Sequence, residues 1–160
     1  MSETLESLLR IDEPIVLGPF GGASSVELTA LVSEAGGLGS YGLYGYSAER
    51  IHDTITSLRA ATSRPFAVNL WIPTGDEAAP GDVDLAPYLD ALAPLYEELG
   101  VQAPTPPPAF LPAFDTQLDA VLDAAPAVVS FVYGVPSSDE IDRAHGRGIR
   151  DLRGPSGGTR

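Results

Sequence analysis

Two stretches hold the residues best placed to do chemistry. GPFGGASS (18–25) brings pliable backbone to the start of a predicted helix, where N–H groups lack intrahelical partners. Such a loop suits an anion or a flat ring lying against the main chain, and it equally suits a tight turn that needs positive φ. It matches neither G-x-G-x-x-G nor G-x-x-x-x-G-K-[ST], so it carries no dinucleotide or P-loop signature. PFAVNLWIP (65–73) contains one strongly polar side chain, Asn69. Burying an unpaired amide costs about 1–3 kcal/mol. Asn69 is therefore expected to be a structural hydrogen-bonding group or a ligand contact, and its amide can both donate and accept.

Other titratable groups offer less. His52 follows the core-facing Ile51 and is expected on the solvent side of its helix, and His145 lies beside a basic C-terminal stretch. The carboxylates fall mostly in first helical turns and on polar faces. No His/Asp/Glu set has metal-ligand spacing. The prolines and aromatics of 106–114 read as a packed linker, with a lid as the alternative.

The elements that must position these residues alternate. PIVLGPF (14–20) reads as a buried strand. A helix is expected from Ser24, with Glu27 completing a capping box, and Gly36-Gly37 ends it. LGSYGLY (38–44) is a second strand, and Ser47 caps a helix with Ile51, Ile55 and Leu58 on one face. PFAVNLWIP is the third strand. A helix bearing Leu85, Tyr88, Leu89, Leu92, Leu95, Tyr96 and Leu99 on one stripe ends at Gly100. VQAPTPPPAFLPAF (101–114) has too many prolines for helix or central strand. A helix with Phe114, Leu118, Val121, Leu122 and Ala125 precedes the strand AVVSFVYG (127–134), and Ser137 with Glu140 opens a last helix near 138–147. Apolar strands alternating with amphipathic helices indicate an α/β fold of four consecutive parallel βα units. Either an open doubly wound sheet or part of a (β/α)8 barrel fits, and in both, ligands sit at the C-terminal ends of the strands.

Bulk composition narrows the function classes. The 160 residues carry a net charge of −13, which argues against nucleic acid. The charge is uneven: residues 1–142 have 4 Arg against 21 Asp and Glu, and residues 143–160 have 5 Arg against one Asp. Cysteine is absent, so disulfide and thiolate chemistry are excluded. No apolar run approaches the roughly 20 residues of a membrane span, and residues 1–13 lack a signal-peptide pattern. A cytoplasmic protein is expected.

The spaced motifs PIVLGPFGGASSVELTALVSEAGGLGSYG, RPFAVNLWIP and VVSFVYGVP resemble the N-terminal half of nitronate monooxygenases, FMN-dependent (β/α)8 barrels. The resemblance covers about residues 14–149. It implies a partial TIM barrel truncated after about strand four, with residues 1–13 as a lead-in. It also implies an FMN site lined by main chain of Pro19, Phe20, Gly21 and Gly22 and by the Asn69 side chain. Phe20 stands where the family usually has Met, and the AGGLGS turn would keep side chains away from the cofactor. The implied reaction is oxidation of alkyl nitronates by O2 to a carbonyl compound and nitrite.

The chain departs from the family pattern in two ways. Many members have a catalytic histidine in SFHFG, where this chain reads SFVYG and places Val132. The catalytic base is thus unassigned, and a preformed nitronate is favoured over a neutral nitroalkane. The second departure is length, since a full barrel needs about 250 residues. RDLRGPSGGTR (150–160) shows no strand pattern and is expected to be a basic tail outside the family sequence. The first and fourth strands should then be open edges that favour a homodimer, and FMN affinity should be weak. An inactive fragment or interaction module, and a flavin-dependent enoyl-thioester reductase, are the alternative readings.

Overall fold

The computed structural model describes residues 4–105 and 107–153. One parallel sheet has the order β1 (Gly39–Gly42), β2 (Phe66–Trp71), β3 (Val128–Val132), β4 (Arg150–Arg153). The helices are α1 (Leu5–Leu9), α2 (Val26–Glu34), α3 (Ala48–Ala61), α4 (Ala86–Leu99), α5 (Phe114–Ala124) and α6 (Ser138–His145). Sequential parallel strands with helices between them form a partial (β/α)8 barrel.

Strand alternation sorts the side chains. Phe66, Val68 and Leu70 of β2 join Ile51, Ile55 and Leu58 of α3 and Leu118, Val121 and Leu122 of α5 in the main core. The intervening Ala67 points the other way, into a smaller cluster with Leu9, Ile11, Leu38 and Val128. The lead-in is thus part of the fold: α1 ends in left-handed Arg10 and delivers Leu9 and Ile11 beneath the strands. Helix starts follow local chemistry. Ser47 accepts from the Arg50 N–H at 3.3 Å, and Ser137 and Glu140 form a reciprocal capping box.

The strand expectations change at both ends of the sheet. PIVLGPF is not a buried strand: it makes one parallel bridge, Val16 to Leu38, and Ile15 is 61% exposed. Pro14 and Pro19 lack N–H donors, which shortens any ladder this segment can make. At the other end, residues 150–153 are a strand that the sequence did not suggest. Gly148 (φ 75°) reverses the chain after α6, and Ile149 enters the main core. The following residues then pair with β3 from Val128↔Arg150 to Phe131↔Arg153. Three of these four residues are charged, so no apolar pattern marked them; the free edge of β3 supplies the pairing. The edges of the sheet are therefore residues 14–17 and β4, not β3. The remainder of the expected tail, 154–160, lies outside the described residues.

The expected apolar stripe of α4 exists, and Gly100 (φ 65°) ends the helix as expected. None of its residues is buried, however.

Ser33 ties α2 to the sheet. It is fully buried, accepts from Gly39 N–H at 3.1 Å and donates to the Pro65 carbonyl at 2.9 Å. Ser33→Ala leaves both backbone groups without that partner and should cost about 1–3 kcal/mol, read as a lowered urea midpoint at unchanged slope.

Candidate functional site

At the C-terminal ends of the strands, one cross-strand row gathers the polar groups. Gly42 of β1 pairs in register with Asn69 of β2, and Asn69 pairs with Ser130 of β3. Registered partners in parallel strands share a face. Here it is the inner face, opposite Val68 and Leu70. Asn69 is 4% exposed, and its Nδ2 donates to Ser130 Oγ at 2.9 Å and to the Ser130 carbonyl at 3.2 Å. Among the described residues its Oδ1 accepts no hydrogen bond, so the acceptor half of the amide is what remains to offer a ligand N–H.

The glycine turn comes to this same row. A Cβ on Gly42 would lie 3.3 Å from both Gly21 N and Phe20 C, so bare backbone at Gly42 lets residues 20–21 pass across the end of β1. Ser24 holds the crossing: its Oγ donates to the Phe20 carbonyl at 2.8 Å and accepts from Gly42 N–H at 3.3 Å. Ser24 is therefore a tie and not the helix cap; the cap is Ser25, which accepts from Leu28 N–H at 3.1 Å. The turn itself is open on its other side. A Cβ at Gly21 or Gly22 would meet nothing within 4 Å, Gly22 has φ 76°, and Phe20 is 64% exposed. Pro19 precedes it, half-buried. The structure thus brings Gly21 and Asn69 to one site through Gly42.

The AGGLGS glycines serve a different purpose from the one expected. A Cβ on Gly37 would sit 2.8 Å from the Ile15 carbonyl oxygen, and one on Gly39 would collide with the Thr29 carbonyl and lie 2.7 Å from Ser33 Oγ. They admit the neighbouring backbone of α2 and of residue 15, not a cofactor.

Sequence reading missed Ser24 in its tying role and Ser130. The signal for Ser130 was present: a hydroxyl inside the apolar run AVVSFV, like the amide inside FAVNLW.

One row further out, Trp71 pairs with Val132. Trp71 packs against Tyr44 (ring centroids 3.9 Å apart) and edge-on against Tyr133 (4.7 Å). Tyr133 holds a left-handed φ of 68°, uncommon for a bulky residue, at the point where the chain leaves β3. The aromatic trio walls a cavity of about 430 Å³, closed on the other side by Leu111–Phe114 ahead of α5. The proline-rich segment is thus wall as well as linker. Among the described residues no His/Asp/Glu/Cys cluster could hold a metal ion. His52 is exposed, and His145 Nε2 lies 2.7 Å from Asp151 Oδ1 on the helix side of β4.

On the outer face, Tyr41 and Tyr46 share a hydrogen bond of 3.2 Å, and the Arg50 guanidinium lies 3.7 Å from the Tyr46 ring centroid. Burial first, and then the Tyr46 hydroxyl, push Tyr41 up to about 12. Its neutral form is favoured in the folded state, so this contribution is intact below pH 10 and lost as pH rises toward 12. An absorbance titration of tyrosinate should show a late phase near pH 12 that Tyr41→Phe removes.

The fold and the inner row define a partial parallel βα barrel with a rim of main chain, amide and hydroxyl at the C-terminal ends of its strands. The family model for nitronate monooxygenase matches residues 2–153, and the chain belongs to that family. A nitronate monooxygenase of Pseudomonas aeruginosa is 37% identical over 95% of this chain and 44% of its own length. One of Paraburkholderia phytofirmans is 36% identical over 91% of this chain and 40% of its own. The chain thus spans less than half the length of these relatives. A solved nitroalkane oxidase from Streptomyces ansochromogenes superposes with a TM-score of 0.71 at 32% identity, covering 92% of this chain and 42% of its own. FabK from Thermotoga maritima, at 21% identity and TM-score 0.64, shares the fold. The matched span includes β4, so the family sequence runs past residue 149.

Proposed function

We propose that this chain forms one wall of an FMN site and serves the flavin-dependent oxidation of alkyl nitronates by O2 to a carbonyl compound and nitrite. The observation that carries the reading is the Gly42–Asn69–Ser130 row, with the Phe20–Gly22 main chain laid across its end. The residues fit a flat heterocycle. Open main chain at Gly21 and Gly22 offers a surface without Cβ atoms, and Asn69 Oδ1 offers an acceptor at its edge. Bound FMN would supply the redox chemistry, accepting electrons from the nitronate and passing them to O2. Asn69 would hold the ring edge, Ser130 would fix the amide orientation, and Ser24 would fix the turn. Val132 cannot move a proton, and neither can Trp71 beside it, so the chain favours a substrate already deprotonated at carbon.

The test is turnover by the flavin-loaded protein. Nitrite release from ethyl nitronate under air is expected. NAD(P)H oxidation without nitrite would replace this reading with a thioester-reductase one, and colourless protein without either activity would replace it with a non-catalytic module. The exposed segment 14–17 and the outer edge of β4 are also proposed to pair with a second copy, and sedimentation equilibrium should return twice the 16.7 kDa chain mass.

A further inference from the structure

Gln117 is only 7% exposed, yet it lines the cavity at the strand ends. It stands in the first turn of α5, its N–H on the Ala113 carbonyl at 3.1 Å. Its Nε2 donates to the Tyr46 carbonyl at 2.8 Å and, at 3.5 Å, to the Leu43 carbonyl. Carbonyl oxygens only accept, so the NH2 end of the amide must face them and Oε1 must face away. Among the described residues nothing donates to Oε1. Every fully buried side-chain polar atom among them has a partner, so the unpartnered Oε1 is accessible, and the space it reaches is the cavity that Gln117 lines. An acceptor on so buried a side chain is costly to leave unmet.

The rest of the wall suits a flat ring. Tyr44 and Tyr133 flank Trp71 and are both exposed, so ring surface stays open to a ligand. Leu111 and Phe114 close the other side, and about 430 Å³ is the volume of a small-molecule pocket. No lining residue is a lysine, arginine or histidine, which leaves no side-chain anchor for an anion. None comes from the Gly42–Asn69–Ser130 row or the Phe20–Gly22 turn, so the cavity is a site apart from the flavin wall.

We propose that this cavity binds a neutral planar ring bearing an N–H donor, an aryl carboxamide or lactam, with the ring against the aromatic trio and the N–H on Gln117 Oε1. The proposal does not rest on the flavin reading; Gln117 and the aromatic wall carry it.

Trp71 is the sole tryptophan of the chain, so its fluorescence reports occupancy directly. Benzamide should quench it saturably, after correction against N-acetyltryptophanamide, with a dissociation constant of about 1 mM or below. Methyl benzoate keeps the ring and carbonyl but lacks the N–H, and cyclohexanecarboxamide keeps the amide but lacks the aromatic ring. Each, read by displacement of benzamide, should bind about fivefold more weakly or worse. Gln117→Met keeps the side-chain length with only a weak acceptor, and should bring benzamide and methyl benzoate within about twofold of each other. If that variant does not melt cooperatively, the three ligands on the parent chain decide alone. Quenching that never saturates, equal binding of the ester or of the saturated amide, or a benzamide–ester gap unchanged in folded Gln117→Met would overturn the proposal. Saturating FMN should leave benzamide affinity within about twofold, and competition between the two would overturn the separate site. Saturable benzamide binding by protein that takes no FMN removes the flavin reading and leaves the cavity site standing.

Discussion

Gly39→Val is expected to prevent the chain from folding at room temperature. The glycine starts β1 at the point where α2 crosses it, and any Cβ there would collide with the Thr29 carbonyl and crowd Ser33 Oγ. The obstacle is helix backbone, which cannot rotate away as a flexible side chain would. Accommodation means moving α2 off the sheet, which also breaks the Ser33 bonds to Gly39 and Pro65. Overpacking alone costs about 1–3 kcal/mol, and the two broken bonds add about 1–3 kcal/mol more. Domains of this size have about 5–15 kcal/mol in total, and one carrying an uncovered α4 face belongs near the bottom of that range. Circular dichroism should show loss of the cooperative melt. By contrast, Gly21→Ala meets open space and should leave the melt unchanged. Equal melting of Gly39→Val and the parent chain would show that α2 does not seat on β1 as described.

On the proposed reading of nitronate oxidation, Val132→His should create activity on neutral nitroalkanes. Val132 shares the inner face with Asn69 and Ser130 and pairs with Trp71, so a side chain there projects over the row where substrate would lie. The described inner-face groups of these two rows are glycine, amide, hydroxyl, the Leu152 side chain, indole and valine. None of them can take a proton from carbon at neutral pH. A nitronate has already lost that proton, whereas a nitroalkane has not. A positioned general base contributes about 10²–10⁴-fold, so kcat/KM for nitroethane should rise about 100-fold or more, while that for ethyl nitronate changes less than about threefold. The gain should appear as pH rises through about 6.5, where an imidazole becomes an acceptor. Nitrite release measured for both substrates across pH 5–8 decides it. Parent protein that uses nitroethane as well as ethyl nitronate would mean that some other residue already serves as base.

Much of this arrangement was legible in the sequence, for identifiable reasons. Ser47 and the Ser137–Glu140 pair marked helix starts because capping acts within one turn and needs no tertiary partner. FAVNLW and VVSFV marked strands because burial on both faces forces a continuous apolar run. RDLR did not, because its strand character comes from the edge of β3 and from Ile149 anchored in the core. PIVLGPF misled in the opposite sense: its composition is that of a core strand, yet with few donors and a single bridge it stays largely exposed. At the site, Asn69 stood out as a lone amide in an apolar strand, and the glycine turn by its flexibility. Their meeting depends on Gly42 and on Ser24, whose hydrogen bond to each other spans 18 residues and leaves no local pattern. The glycines of AGGLGS were visible as a motif but not as helix contacts, since only the packed fold shows what a Cβ would strike.

FMN binding by the Asn69→Leu variant tests the flavin wall most directly. Leucine keeps the branched heavy-atom shape of asparagine but is bulkier and removes both donations to Ser130, so the variant should still melt cooperatively but at a lower temperature than the parent chain. In a fluorescence-quenching titration the parent should bind FMN saturably, and Asn69→Leu should bind at least about tenfold more weakly, a loss of about 1.4 kcal/mol. Identical dissociation constants for the two proteins, or no saturable binding by the parent, would contradict the assignment of the Gly42–Asn69–Ser130 row to a flavin.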